Sequence, residues 1–309
     1  MKINLVYQDY LYLEPMLKVA EELKKRGHEI FHNADGCDIS IGSHLTPLSV
    51  WSERTPLVFL DHGICPRVKS VNDISRLVKM KALMLFSGPY YERLIERAAP
   101  GYKDYRLIGN PKLEYYLERQ MSREEVIKRY SLDPAKKIIL YAPTWYHNKG
   151  HRRYSHGTIR YIRKIEKACR KHNLILFPHP KDLKKRYIKY ASQIETKDTA
   201  MRFFEASDML ISDYSSIVVD YSYFNKPLIQ LTDVFERNMR RNRENNDDVK
   251  FDAGNSVRVK ELAGRVESLF KDPERGAYIR KELFDDVSGS VRGAAARAAS
   301  AIEEYINDK

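Results

Sequence analysis

Cysteine is scarce and scattered. The chain of 309 residues holds three, Cys37, Cys65 and Cys169, and no two form a CxxC pair. That excludes a disulfide framework and a zinc ribbon and fits a reducing compartment. Long apolar runs are missing as well. None reaches the ~18 residues that span a bilayer. The opening Met1-Lys2-Ile3-Asn4-Leu5-Val6-Tyr7 lacks the pattern of a secretory leader. These absences predict a cytoplasmic protein whose membrane contact is confined to peripheral attachment at the inner face. There is no GxxxxGK(S/T) phosphate loop, no GxGxxG, no GxSxG elbow and no HExxH. Common ATPases, NAD enzymes, serine hydrolases of the elbow type and zinc proteases therefore lose support. No histidine or carboxylate cluster has metal-ligand spacing, so neither a metal nor a cofactor is expected.

What the chain does have is apolar content, charge and alternation. Hydrophobic residues make up 43% and charged residues 31%, enough to bury cores and too apolar for disorder. The length suits two domains. The formal net charge of +12 suits an anionic partner: nucleic acid, an anionic membrane face or a phosphorylated substrate. It serves solubility equally well. Basic segments are Lys184-Lys185-Arg186, 237–243 and the helical face of Arg160, Arg163, Lys164, Lys167, Arg170 and Lys171. Each reads either as an attachment surface or as a solvated face.

Short apolar runs alternate with helical spacing. Strands are expected at 3–7, 38–42, 57–60, 82–86 and 106–108, and helices at 11–26, 73–81 and 89–98. The pattern restarts with the capping box Ser122-Arg123-Glu124-Glu125. Strands follow at 137–142, 174–177, 208–211 and 227–231, and helices at 158–172, 199–206, 217–224 and 257–270. Two parallel α/β halves are expected, with domains at 1–125 and 126–288 and a cleft between them. A last helix over 289–307 is long enough to cross back to the first half.

One stretch organises the second half: Ser212-Asp213-Tyr214-Ser215-Ser216-Ile217-Val218-Val219-Asp220-Tyr221. A buried strand runs into it and a helix runs out, so Ser215 or Ser216 is expected as the cap. Small hydroxyls and free N–H groups at a helix start, at a strand's carboxyl end, suit a phosphate. An ordinary capped helix has the same local chemistry. Asp61-His62-Gly63 follows another strand. There His62, with a pKa near neutrality, can act as a general base, or it is a loop histidine without a role. Pro178-His179-Pro180 aims a histidine from a stiff loop, either at a phosphate or merely at solvent. Tyr141-Ala142-Pro143-Thr144-Trp145-Tyr146 ends a strand with a hydroxyl. Gly109-Asn110-Pro111-Lys112 reads as a turn.

Taken in order, His62-Gly63, Gly109-Asn110-Pro111, Tyr141-Ala142-Pro143-Thr144-Trp145, His179-Pro180 and Ser212-Asp213-Tyr214-Ser215-Ser216 with Asp220-Tyr221 resemble one family. It is that of the CDP-glycerol:poly(glycerophosphate) glycerophosphotransferases, the teichoic acid polymerases and primases. The closing Gly289-Ser290-Val291-Arg292-Gly293-Ala294-Ala295-Ala296-Arg297 is similar to that family's end. The resemblance covers about residues 55–305. It implies a GT-B fold, two Rossmann-like α/β domains facing across a cleft, the first for the acceptor and the second for the nucleotide donor. It further implies transfer of a polyol phosphate from a CDP-activated donor to an acceptor hydroxyl, with release of CMP. His62 would be the base, with Asp61, Gly63 and Lys69 on the acceptor side. His179 would sit by the diphosphate as charge or acid. Thr144, Ser212, Asp213, Tyr214, Ser215, Ser216, Asp220, Asn110 and Pro111 would bind the donor. The acceptor would be a polyol phosphate or a lipid-linked primer, an anionic membrane surface is a compatible partner, and no nucleic acid is expected. Asp61 and Tyr146 stand where the family usually has tryptophan and arginine, which leaves CDP-glycerol, CDP-ribitol and other CDP-alcohols open as donors. A sugar transferase or sugar-nucleotide epimerase on the same fold, and a polyanion-binding protein without activity, are the competing readings.

Overall fold

The computed structural model describes residues 1–8, 10–61, 71–144, 158–179, 182, 191–213, 215–233 and 253–308. Among these the chain forms two parallel sheets. By packing it divides into a first unit, Met1–Glu118 with Asp285–Lys309, and a second, Arg119–Phe284. The boundaries expected from sequence lie a few residues away from these divisions.

The first unit is built on strands β1 (Lys2–Val6), β2 (Glu29–His32), β3 (Ile39–Gly42), β4 (Leu57–Leu60), β5 (Leu83–Phe86) and β6 (Tyr105–Leu107). Their order in the sheet is β2-β1-β3-β4-β5-β6, all parallel. Helices α1 (Tyr10–Lys25), α2 (Leu45–Ser49), α3 (Val71–Lys79) and α4 (Pro89–Ala98) lie between them in the chain, and α5 (Pro111–Leu117) follows β6. Central strands read as continuous apolar runs because both faces of a parallel sheet are covered. Ile39, Ile41, Val58, Leu60, Leu83 and Leu85 are buried together with Met16, Val19 and Leu23 of α1. The glycine after α1, Gly27, has φ of +85°, the left-handed geometry that ends a helix.

The second unit opens with α6 (Arg123–Tyr130), whose Ser122–Glu125 capping box forms as the sequence predicts. Then come β7 (Ile138–Ala142), a 3-10 turn (Thr158–Tyr161) leading into α7 (Ile162–Cys169), β8 (Asn173–Leu176), a 3-10 turn (Ala200–Phe203), β9 (Met209–Ser212), α8 (Ile217–Ser222), β10 (Leu228–Leu231), β11 (Ser256–Val257), α9 (Leu262–Lys271) and α10 (Ala277–Val287). The sheet order is β11-β10-β9-β7-β8, again parallel. Ile139, Tyr141, Met209, Ile211, Ile229 and Leu231 pack under α7 and α9, which contribute Ile162, Ile165, Cys169, Leu262, Val266 and Leu269. Each such aliphatic side chain contributes about 1.5–3 kcal/mol on burial. Arg280 of α10 is fully buried. Its guanidinium donates to the Asn225 carbonyl and side-chain oxygen and to the carbonyls of Arg275 and Pro273. It thereby ties α10 to the turn that follows α8.

The last helix, α11 (Ala294–Asn307), packs in the first unit through Ala295, Ala298, Ala299 and Ile302. The α/β class and the returning C-terminal helix are thus as the sequence predicts. Five elements were not expected: β2, α2, α5, β11 and α10. The 199–206 helix is reduced to a single 3-10 turn. Among the described residues no helix is long and apolar enough to cross a membrane.

Candidate functional site

In each sheet the strand order reverses direction once. In the second sheet the chain steps from β7 out to β8, then returns to the other side of β7 with β9. A crevice opens at such a switch point, outside the carboxyl ends of the two strands, and ligands of open α/β sheets bind there. The residues at that point are Thr144, two positions after β7, and Ser212-Asp213, at the end of β9.

Ser212 lies opposite Ala142 in the register. Its hydroxyl is fully buried and donates to the Ala142 carbonyl at 2.6 Å. Asp213 is 1% exposed. One carboxylate oxygen accepts from the Thr144 N–H at 2.7 Å. The other accepts from the Thr158 N–H at 2.8 Å and from the Thr158 hydroxyl at 2.9 Å. The Thr158 hydroxyl also meets the Tyr141 hydroxyl at 2.9 Å, and Gln230 donates to the Asp213 carbonyl at 3.2 Å. The Asp213 carboxylate therefore ties the ends of β7 and β9 to the start of the α7 segment, while its backbone carbonyl is held by Gln230 of β10. Burial pushes the Asp213 carboxyl above its ordinary range, and hydrogen bonds from Thr144 and Thr158 oppose that rise. Ser212 and Asp213 thus brace the strand ends at the switch point from behind.

Ser215 and Ser216 are different. Both are half-buried. Ser216 occupies the position before α8, yet its side chain makes no cap. Its backbone has φ −59° and ψ −23°, already helical, which removes the extended geometry that lets a cap side chain reach back. The expected cap is thus not made, and neither hydroxyl is engaged among the described residues. Asp220 is 2% exposed within α8. His179 is half-buried at the same carboxyl edge, three positions past β8, and its carbonyl accepts from the Asp182 N–H at 2.7 Å.

The remaining predicted residues belong to the first unit. Asp61 is buried directly after β4, its N–H bonded to the Leu85 carbonyl at 3.1 Å. Asn110 and Pro111 begin α5. The Asn110 side chain accepts from the Leu113 N–H at 3.0 Å and donates to the Ser288 hydroxyl at 3.1 Å. The Asn110 N–H donates to the Ser290 carbonyl at 3.0 Å. Gly109 has φ of +84°, and a Cβ there would lie 1.8 Å from that same Ser290 oxygen. So Gly109-Asn110-Pro111 and the closing 288–297 segment are two halves of one contact. Glu114 completes it by accepting from the N–H groups of Gly293 and Ala295 at the start of α11. This is a structural task within the first unit. His62, Gly63, Lys69 and Tyr214 lie outside the described residues, as do Trp145 and Tyr146 and the basic segments 184–186 and 237–243.

Thr158 and Gln230 were missed from sequence. Neither stands near Asp213 in the chain, and no local spacing signals them. The available signal was Asp213 itself: a carboxylate ending an apolar strand must find donors. Among the described residues no group of three histidine, cysteine or carboxylate side chains could hold a metal.

Residues 55–287 match the model of the family described as CDP-Glycerol:Poly(glycerophosphate) glycerophosphotransferase. The chain belongs to that family. Its relatives include the teichoic acid ribitol-phosphate polymerase TarK of Staphylococcus aureus (strain NCTC 8325 / PS 47), 29% identical over 120 residues, covering 35% of this chain and 22% of TarK. A teichoic acid poly(glycerol phosphate) polymerase of Bacillus spizizenii (strain ATCC 23059 / NRRL B-14472 / W23) is 26% identical over 155 residues, covering 47% of this chain and 39% of the polymerase. The match thus spans well under half the length of these curated relatives. Among solved structures, the wall teichoic acid polymerase TagF superposes with a TM-score of 0.73 at 16% identity, over 99% of this chain and 89% of that one. The S. aureus MnaA–UDP co-structure gives 0.65 at 13% identity, over 99% and 97%. These likenesses establish the GT-B fold of this glycerophosphotransferase-family chain.

Proposed function

We propose that this chain is a transferase that moves a polyol phosphate, glycerol phosphate first among candidates, from a CDP-activated donor to an acceptor hydroxyl in teichoic-acid-like polymer synthesis. The observation that carries this reading is the family match over 55–287, which contains His62, Thr144, His179 and the Ser212–Ser216 stretch. The relatives act as polyol-phosphate polymerases by name, and a TagF variant was solved after a soak with CDPG.

In the proposed reaction His62 takes the proton of the acceptor hydroxyl. The oxygen attacks the phosphorus that bears the polyol, the bridging P–O bond breaks, and its electron pair leaves with CMP. Such a transfer needs chiefly positioning and positive electrostatics around developing charge. Ser215, Ser216, Tyr214 and Thr144 hold the diphosphate, with His179 beside it as charge or acid. Ser212, Asp213 and Asp220 support them from within the sheet and α8, while Asp61, Gly63 and Lys69 serve the acceptor side. Asn110 and Pro111 serve the donor side as well as the contact that Asn110 makes with the closing segment of the first unit. The acceptor is a polyol-phosphate chain or a lipid-linked primer, reached at the inner membrane face by peripheral attachment.

The likeness to the MnaA–UDP structure keeps a uridine-dependent epimerase or sugar transferase as the alternative. Nucleotide release separates them. CMP released from CDP-glycerol or CDP-ribitol supports the proposal, and turnover of a UDP-sugar alone overturns it. His62→Ala is expected to lower turnover by about 10²–10⁴-fold, the loss typical of a general base. Unchanged turnover would remove that role.

A further inference from the structure

The 158–172 segment of the second unit carries six cations, Arg160, Arg163, Lys164, Lys167, Arg170 and Lys171, against a single acid, Glu166. All six cations are exposed. Glu166 is already engaged, accepting from the Ser192 N–H at 2.5 Å and its hydroxyl at 2.8 Å. Lys171 reaches Glu267 only at 3.8 Å, and the Arg160 guanidinium lies over the Tyr161 ring at 4.7 Å. The opposite face of α7 is buried through Ile162, Ile165 and Cys169. The helix therefore turns a cationic face outward, with Arg163, Lys167 and Arg170 one turn apart, about 5–6 Å along the axis.

The position of this row matters as much as its charge. It begins two residues after Thr158, which is bonded to Asp213 at the switch point. From Arg160 to Lys171 it runs about 16 Å away from that edge. Its character also narrows the partner. A helix that lies in a membrane interface needs an apolar face turned toward lipid. Here the apolar face is engaged with the core, and among the described residues the exposed large hydrophobic ones, Val50, Tyr278 and Ile279, lie elsewhere. What α7 offers is a line of charge with nothing to insert.

We propose that the outward face of α7 is a docking strip for a phosphodiester chain, holding the polyol-phosphate polymer beside the donor crevice between transfers. This rests on the polyol-phosphate transfer reading, since that reaction makes such a chain. Single exposed cations contribute little each. A row that meets a repeating anion acts as a multivalent site and displaces the polymer's counterions, so its binding weakens steeply with salt.

The test is binding of fluorescently labelled poly(glycerol phosphate) of defined length across a salt series. The variants are Lys164→Gln/Lys167→Gln/Arg170→Gln and, as a control of equal charge change, Lys24→Gln/Arg76→Gln/Lys79→Gln on the first unit. Glutamine preserves helix propensity, and melting curves confirm folding. The α7 variant is expected to lose about tenfold or more in affinity and to show a shallower salt dependence, while the control stays within about twofold of wild type. Equal affinity for both variants overturns the strip. So does wild type that binds vesicles containing anionic lipid but not the polymer, which would assign α7 to a membrane. CDP-glycerol titration is run in parallel. Failure there counts against the transfer reading alone, because the polymer comparison between wild type and variant reads the strip directly.

Discussion

Asp213 shows how one residue can govern a site it does not line. Removing its carboxylate in Asp213→Ala leaves the Thr144 and Thr158 N–H groups buried without their acceptor. Each orphaned donor costs about 1–3 kcal/mol, so a loss of roughly 2–6 kcal/mol in unfolding free energy is expected by denaturant titration. Asp213→Asn keeps one acceptor oxygen and should lose less. Equal stability of wild type and alanine variant would contradict the bracing role. Ser215→Ala should do the reverse: unchanged melting, with CDP-polyol binding weakened about tenfold, the scale of one hydrogen bond to a charged group. At this scale the sequence was informative about residue type and poor about task. The hydroxyls and the aspartate of the 212–216 stretch were visible as a polar cluster at a strand end. That Ser212 and Asp213 face inward while Ser215 and Ser216 stay available depends on partners such as Thr158, far away in the chain.

Two elements show what spacing can and cannot reveal. Helix α6 was legible from its capping box, but not its anchorage. Arg123 pairs with Asp208 at 2.8 Å and Arg129 with Glu195 at 2.6 Å. Burial alone would raise the Asp208 carboxyl; the Ile138 N–H, Arg123 and Lys137 outweigh it and hold the group below its usual range. Glu195 is likewise depressed, its burial outweighed by the Tyr130 hydroxyl, the Lys197 and Asp198 N–H groups and Arg129. Groups with depressed folded values add stability that is present above their unfolded pKa and fades as pH falls through the folded one. The melting temperature should therefore hold near neutrality and drop below about pH 4.5. In an Arg123→Ala/Arg129→Ala variant it should start lower and fall less steeply; parallel curves would contradict this account. Helix α5 was hidden because Gly109-Asn110-Pro111 reads as a turn. The alternative, an asparagine cap followed by proline in the first turn, was open to the same residues. Gly109→Ala combines a left-handed backbone with a Cβ 1.8 Å from Ser290 O. It should destabilise the first unit by about 3 kcal/mol or more, and wild-type stability would deny the contact its importance.

At the scale of the molecule, alternation of short apolar runs with helical spacing was enough to predict two parallel α/β units, because strands covered on both faces carry their signal in composition. Strand order was not legible. It places the switch point between β7 and β9, and so selects Thr144, Ser215 and Ser216 from among many polar residues. The edge strands β2 and β11 escaped notice because they are short and partly exposed. The family match and the switch point lead to one central claim, that the second unit binds a cytidine diphosphate donor at this crevice. The most direct measurement is calorimetric titration of CDP-glycerol, CDP-ribitol, CDP and UDP-sugars into wild type and Ser215→Ala. The account predicts cytidine-selective binding by wild type, weakened by the substitution. Binding selective for uridine, or cytidine binding untouched by Ser215→Ala, would contradict it.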